Sequence, residues 1–197
     1  MVSSPASSGA PATVWVVAGA PGVGKSTVAQ ALLVAVRPPP ALLDKDTLFA
    51  DLAGEVLAAH GRPSGEREGP WYDEHVKRHE YTALARAARE IRGSGCPVLL
   101  VAPFTEQIRA PDRWRQWVDR LGGQPVVLVW VGCDPGTLHA RLIGRGRSRD
   151  SGKLDDFDAF ARRTRPDTPP PVRHHAVWTS VGAEPVGSQV VRIGTSA

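Results

Sequence analysis

A three-layer α/β/α sandwich with a parallel five-stranded core is the fold class this sequence predicts, on three observations. Short β-branched apolar runs alternate with segments of helical period, and such alternation requires parallel crossovers that leave helices on both faces of one sheet. Two of the runs, PVLLVA (97–102) and PVVLVWVG (125–132), are apolar throughout, as strands covered on both faces are. A glycine-rich octapeptide, GAPGVGKS (19–26), joins the first run directly to the first helical segment.

The elements follow in order. Apart from Met1 and Val2, residues 1–12 are Ser, Ala, Pro and Gly without period, which predicts a loose tail before a single domain at 13–197. TVWVVAG (13–19) is a strand ending in glycine, and 25–36 is a helix closed by Pro38, Pro39 and Pro40. A brief strand at 41–43 leads into Asp44-Lys45-Asp46 and a helix at 47–60, which the Gly/Pro segment 61–70 interrupts. Residues 71–92 read as one long helix stopped by Gly93-Ser94-Gly95. After the strand at 97–102 come a helix at 111–121, the strand at 125–132, a helix at 135–144, an Arg/Gly/Asp loop at 145–153 and a helix at 154–165. Residues 175–179 and 189–193 are the last two strand candidates. Trp15, Trp130 and Trp178 are expected in the core as strand residues, with Trp114 and Trp117 packing their helix onto the sheet.

A chain of 197 residues that is 42% hydrophobic has material for one core and too little for two ordinary domains. The net charge of +4 and a pI near 9.5 suit a nucleic-acid partner and equally a pocket for a polyphosphate. No apolar run approaches the roughly 18 residues of a membrane span, and MVSSPASSGAPA lacks the basic start and apolar centre of a signal peptide, so a cytoplasmic protein is expected. Cys96 and Cys133, the two cysteines, fit reduced core thiols.

In a doubly wound sheet the ligand sits beyond the carboxyl ends of the strands, so 19–26, 44–46, 103–106 and the segment from Thr179 onward are expected to share one cleft. GAPGVGKS fulfils GxxxxGK[ST] in the strand-to-helix context the motif requires. Its glycines let backbone N–H groups turn inward around phosphate oxygens at the positive end of a helix. Gly22, Val23, Gly24, Lys25, Ser26 and Thr27 are therefore candidate ATP-binding residues, with Lys25 reaching the β- and γ-phosphates and Ser26 ligating Mg²⁺. Transfer to a hydroxyl also benefits from a carboxylate that orients the attacking oxygen. Asp46 is the candidate, with Asp44 beside it facing acceptor or metal; the alternative is that Asp46 only caps the helix that follows. Arg141, Arg145, Arg147 and Arg149 crowd 138–153 and suggest a lid, about 145–153, in which Arg141 and Arg145 share one helical face.

These segments together resemble small P-loop kinases of the AAA_33 type, related to chloramphenicol phosphotransferase, zeta-toxin kinases, gluconate kinase and the kinase domain of polynucleotide kinase. The residues that carry the resemblance are GAPGVGKST (19–27), LLDKDTL (42–48), LLVAPFT (99–105), VWVGCD (129–134) and RLIGRGRSRD (141–150), across roughly residues 13–180. The resemblance implies that Asp46 activates the hydroxyl, that Arg141 and Arg145 contact adenine and phosphate, and that Thr179 and Ser180 begin the base-binding loop. One departure is that the third strand ends in Ala102-Pro103-Phe104, where related NTPases often place a magnesium-supporting acid; Asp44, or Glu106 through water, then has to serve. Acceptor contacts are expected from Asp44, Asp46, Trp71, Phe104 and Thr105, with Tyr72, His75 and His79 also candidates. His174 and His175 lack the partners a metal site needs. The expected activity is transfer of the γ-phosphoryl group of ATP to a hydroxyl of a small molecule such as a metabolite, nucleoside or antibiotic, with no membrane partner. A polynucleotide 5′-hydroxyl kinase, or a nucleotide-binding switch without chemistry, are the alternatives.

Overall fold

Period-two alternation explains why an apolar run without a polar face forms the centre of this molecule. Along β1 (Val14–Ala18), Val14, Val16 and Ala18 enter one apolar cluster, while Trp15 and Val17 enter the other, so both faces of the strand are buried. In the computed structural model, which describes residues 11–63, 65–146 and 150–194, this strand lies in the middle of the sheet. With β2 (Ala41–Asp44), β3 (Val98–Val101), β4 (Val126–Gly132) and β5 (His175–Trp178) the order is β2-β3-β1-β4-β5, and every pairing is parallel. The register sets Val17 beside Val101 and Val129, Asp44 beside Val101, and Gly132 beside Trp178. The carboxyl ends of all five strands thus come to one edge.

One face is covered by α1 (Lys25–Ala35), α6 (Pro135–Arg145), α8 (Phe157–Thr164) and α9 (Val186–Gly194), whose Leu32, Leu138, Phe160 and Val190 pack against Trp15 and Val17. The other carries α4 (Arg78–Gly93) and α5 (Pro111–Arg120), with Tyr81, Leu84 and Trp117 against Val16 and Trp130. A small satellite core joins Ala53 and Leu57 of α2 (Lys45–Ala59) to Tyr72 of α3 (Pro70–Tyr72) and to Val76. This is the three-layer α/β/α sandwich expected, and among the described residues no helix is long and apolar enough to cross a membrane.

Four local readings are corrected. Residues 189–193 are helical, in α9: Gln189, Val190 and Ile193 are the buried positions, the i, i+1, i+4 spacing of one helix face. The Gln189 amide takes the place a sixth strand would fill, since it accepts from the Trp178 N–H (2.9 Å) and donates to the Trp178 carbonyl (2.8 Å) at the outer edge of β5. That edge position leaves Trp178 36% exposed rather than in the core. The long helix expected at 71–92 is a helical rod interrupted by a π-helical segment, Asp73–Lys77, between α3 and α4. Part of the segment read as loop is α7 (Ser151–Leu154). Arg147 and Arg149, and the tail at 1–10, lie outside the described residues. Both cysteines are free thiols, Cys133 buried and Cys96 half-buried.

Candidate active site

Where β1 ends, the chain turns on glycines because nothing larger fits. Gly19 has φ 146°, and a Cβ there would stand 2.3 Å from the Val131 carbonyl oxygen. Its N–H is bonded to the Pro103 carbonyl at 3.1 Å, which ties the loop to the end of β3. Gly22 (φ 98°) lies under the Leu138 and Arg145 side chains, and Gly24 (φ 97°) is the N-cap of α1. Gly19→Ala is expected to cost about 3 kcal/mol, the sum of a forbidden φ and a backbone clash, read as a drop in the denaturant midpoint.

Lys25, the first residue of α1, folds back over this loop and donates to the carbonyls of Gly19 (3.0 Å) and Ala20 (2.9 Å). Burial pulls its ammonium down to about pKa 8; the carboxylates of Asp46 and Asp44 oppose that shift, and Arg145 adds to it. Ser26 and Thr27 are exposed on the first turn of the helix.

Across the sheet edge, Asp44 ends β2 and caps α2, its Oδ1 accepting from the N–H groups of Asp46 (2.8 Å) and Thr47 (3.2 Å). The cap is therefore Asp44, the helix starts at Lys45, and Asp46 is released from the capping role considered above. The Asp46 side chain is 50% exposed, 3.4 Å from the Lys45 ammonium.

Arg141 is fastened to both walls of the cleft. Its guanidinium donates to the Val23 carbonyl (3.3 Å), the Thr179 hydroxyl (3.0 Å) and the Thr179 carbonyl, while the Thr179 hydroxyl donates to the Val23 carbonyl at 2.6 Å. Arg145, one helical turn on, lies over Gly22 and 3.7 Å from the buried Asp150 carboxylate, which also accepts from Lys153 at 2.8 Å. Asp134 caps α6 through the Thr137 N–H (2.8 Å) and hydroxyl (2.5 Å), and those bonds push its carboxyl down to about 2. The Asp134 N–H donates to the Ser180 hydroxyl at 2.9 Å, which ties the start of the helix bearing the arginines to the loop after β5. Between that loop and the start of α1 lies a cleft of about 370 Å³, lined by Gly24, Thr27, Arg141, Trp178, Thr179 and Pro185 among others. A glycine loop at a helix N-terminus, a lysine folded over it and an adjoining cleft are the parts from which a phosphate-binding site is built.

The AAA_33 family, described as an AAA domain, matches residues 14–166. This chain belongs to the AAA_33 family. No curated protein matches the sequence. Among solved structures, similar folds include a kinase candidate from Chloroflexus aurantiacus (21% identity, TM-score 0.63, 94% of each chain). A sugar kinase from Janibacter sp. HTCC2649 aligns at 16% identity and TM-score 0.61, again over 94% of each chain. The APS kinase of Mycobacterium tuberculosis, solved with AMPPNP and APS, aligns at 17% identity and TM-score 0.52 over 93% of this chain and 95% of that one. At these identities the likeness is one of fold, the P-loop kinase fold.

In this AAA_33 chain, some expected acceptor contacts lie elsewhere. Phe104, expected to face the acceptor, is a core residue instead: its ring is 0% exposed, 5.4 Å from those of Tyr81 and Trp117. The backbone there has φ 51°, and its N–H donates to the Tyr81 hydroxyl at 3.2 Å, while the next residue, Thr105, is half-buried. Trp71 is clasped, with the Arg62 guanidinium 4.4 Å from its ring centre and His75 stacked on it at 4.8 Å. His75 and His79 are exposed. Glu106 is divided between Arg109 (2.6 Å) and Arg113 (2.7 Å), so Asp44 is the acid of the two that remains beside the loop. Among the described residues, no cluster of three or more His, Cys, Asp or Glu could hold a metal unaided.

Two residues escaped the sequence reading. Glu80 is 4% exposed on α4 and accepts from the Tyr72 hydroxyl (2.8 Å) and the Lys45 ammonium (3.1 Å). Its signal was present: Val76, Glu80 and Leu84 follow at intervals of four, so a carboxylate occupies a position of the apolar stripe. Asp150, in the lid, carried no such pattern.

Proposed function

We propose that this chain is an ATP-dependent phosphotransferase that moves the γ-phosphoryl group to a hydroxyl of a small molecule, with Asp46 as the base. The observation that carries the reading is geometric: Lys25 opens α1 after β1 and Asp46 lies in the first turn of α2 after β2, two strands of one parallel sheet whose carboxyl ends share an edge, and the Asp46 carboxylate opposes the burial that lowers the Lys25 pKa. A phosphate held by Lys25 and an oxygen held by Asp46 therefore meet at the same sheet edge. The residues present suit magnesium, an oxygen-seeking ion that keeps several waters: the Ser26 hydroxyl would hold it, with Asp44 supporting its water shell. When bound, the ion neutralises charge on the β- and γ-phosphate oxygens.

In the transfer, the acceptor oxygen bonds to the γ-phosphorus as the bond from that phosphorus to the bridging oxygen breaks, ADP departs, and the hydroxyl proton passes to the Asp46 carboxylate. Arg145 offers guanidinium donors to charge spreading over the equatorial oxygens, and Arg141 with Thr179 holds the nucleotide's other end. Asp44, Thr105 and Trp71 remain the proposed acceptor side of the cleft. The test is ATP consumption with Mg²⁺ against sugars, nucleosides, amino-alcohols, antibiotics and 5′-hydroxyl oligonucleotides, with products weighed by mass spectrometry. One small-molecule class gaining a phosphoryl group supports the reading. A response to oligonucleotides alone, or nucleotide binding with no product from any class, would overturn it.

Lys25 also makes a pH prediction. Nucleotide phosphates need its protonated form, so affinity for ATP is expected to fall as pH rises through about 8, close to tenfold per unit above it, with proton uptake visible by calorimetry in two buffers. Folding stability moves the opposite way. Between about 8 and the unfolded value of 10.5, the unfolded chain carries a proton that the folded one lacks, so this group's contribution rises with pH across that window.

A further inference from the structure

Glu80 is a costly residue to have where it is. A carboxylate this buried needs partners on both oxygens, and it has one on each: the Tyr72 hydroxyl at 2.8 Å on Oε1 and the Lys45 ammonium at 3.1 Å on Oε2. The first depends on the π-helical segment. In a regular helix, eight steps of about 100° leave two side chains roughly 80° apart around the axis, so Tyr72 and Glu80 would diverge. A π-turn takes in an extra residue, and Asp73–Lys77 absorbs that difference and returns Glu80 to the face of Tyr72. Burial and the neighbouring carboxylate push the Tyr72 phenol far up, so it serves as a donor. On its other side, Lys45 is 13% exposed and stands 3.4 Å from Asp46. The chain of contacts runs Tyr72, Glu80, Lys45, Asp46, from the interior to the open cleft.

We infer that Glu80 is a positioning residue for phosphoryl transfer: it clamps the Lys45 ammonium, and the clamped ammonium fixes the Asp46 carboxylate that receives the acceptor hydroxyl. This rests on the reading of Asp46 given above. Without Glu80 the Lys45 side chain, four methylenes long, has no fixed place, and the carboxylate it holds loses a restraint in the direction of the acceptor. Neither residue touches the nucleotide cradle, so the inference separates turnover from ATP binding.

Two measurements test it, the first without turnover. The Lys45 side-chain ¹H–¹⁵N signal is expected to be visible and protected from exchange in the wild-type protein and lost in Glu80→Gln; an unprotected wild-type signal would overturn the clamp whatever the activity. In the second, Glu80→Gln is expected to lower kcat about 100-fold, the cost of misplacing a reacting group by an ångström, with ATP affinity unchanged and with no further loss when combined with Asp46→Asn. Tyr72→Phe, which keeps the charge pair, is expected to give a smaller drop. Because Glu80→Gln alone can unfold by leaving the nearly buried Lys45 with only the exposed Asp46 as partner, Lys45→Gln with Glu80→Gln is the control: stability should recover and kcat should not. Recovery of kcat in that double variant would make the pair merely structural and overturn the inference. A protected Lys45 signal in a wild-type protein with no turnover on any acceptor would instead overturn the reading of Asp46, and the positioning role with it.

Discussion

Lys25→Ala is expected to lower acceptor-dependent turnover by about 10³-fold. In the structure the ammonium spans the loop to the carbonyls of Gly19 and Ala20. A bound β- or γ-phosphate exchanges two neutral acceptors for anionic ones, and the charge that develops during transfer then falls against a half-buried cation. Alanine removes that cation together with its two hydrogen bonds to the loop. Single-turnover rates and ATP affinity measured together check this. A variant that folds, binds ATP as tightly as the wild type and turns over normally would remove Lys25 from the chemistry.

Asp46→Asn is the second, with an expected loss of about 10²- to 10⁴-fold in kcat, the range for removing a general base. The structure makes the experiment cleaner than the sequence suggested. Asp44 is the residue that accepts the Asp46 and Thr47 N–H groups, so the amide substitution leaves the cap of α2 intact and thermal stability should change by less than about 0.5 kcal/mol. Unchanged ATP affinity with lost turnover fits the base. Normal turnover would leave Asp46 as surface charge and shift attention to a switch that binds nucleotide without transferring phosphate.

Asp44 and Asp46 also show where reading the chain reached and where it stopped. That both acids lie at the end of the second strand followed from the sequence; that Asp44 rather than Asp46 is the cap depended on whether the helix began at 45 or 47, and periodicity does not resolve two residues. Phe104 followed a strand end and was expected at the cleft, but a backbone turned to φ 51° sends its ring to Tyr81 and Trp117. For 189–193, a run of Val-Val-Arg-Ile suits a strand or a short helix, and the choice fell to Gln189, whose amide closes the edge of β5. Glu80 was passed over because one carboxylate within an amphipathic helix is ordinarily solvated.

Alternation of apolar runs with helical segments by itself determined the layered parallel sheet, and GAPGVGKS by itself determined the phosphate loop, because both are local: strand faces and glycine turns are set by residues adjacent in the chain. Only the tertiary structure decided that Arg141 would lock onto Thr179, that Asp46 would lie within the field of Lys25, and that Glu80 would lie under Lys45, 35 residues away in the chain. Those pairings depend on strand order, the contact of Glu80 with Tyr72 on a π-turn of one extra residue, and burial strengthens charge contacts that no spacing along the chain encodes.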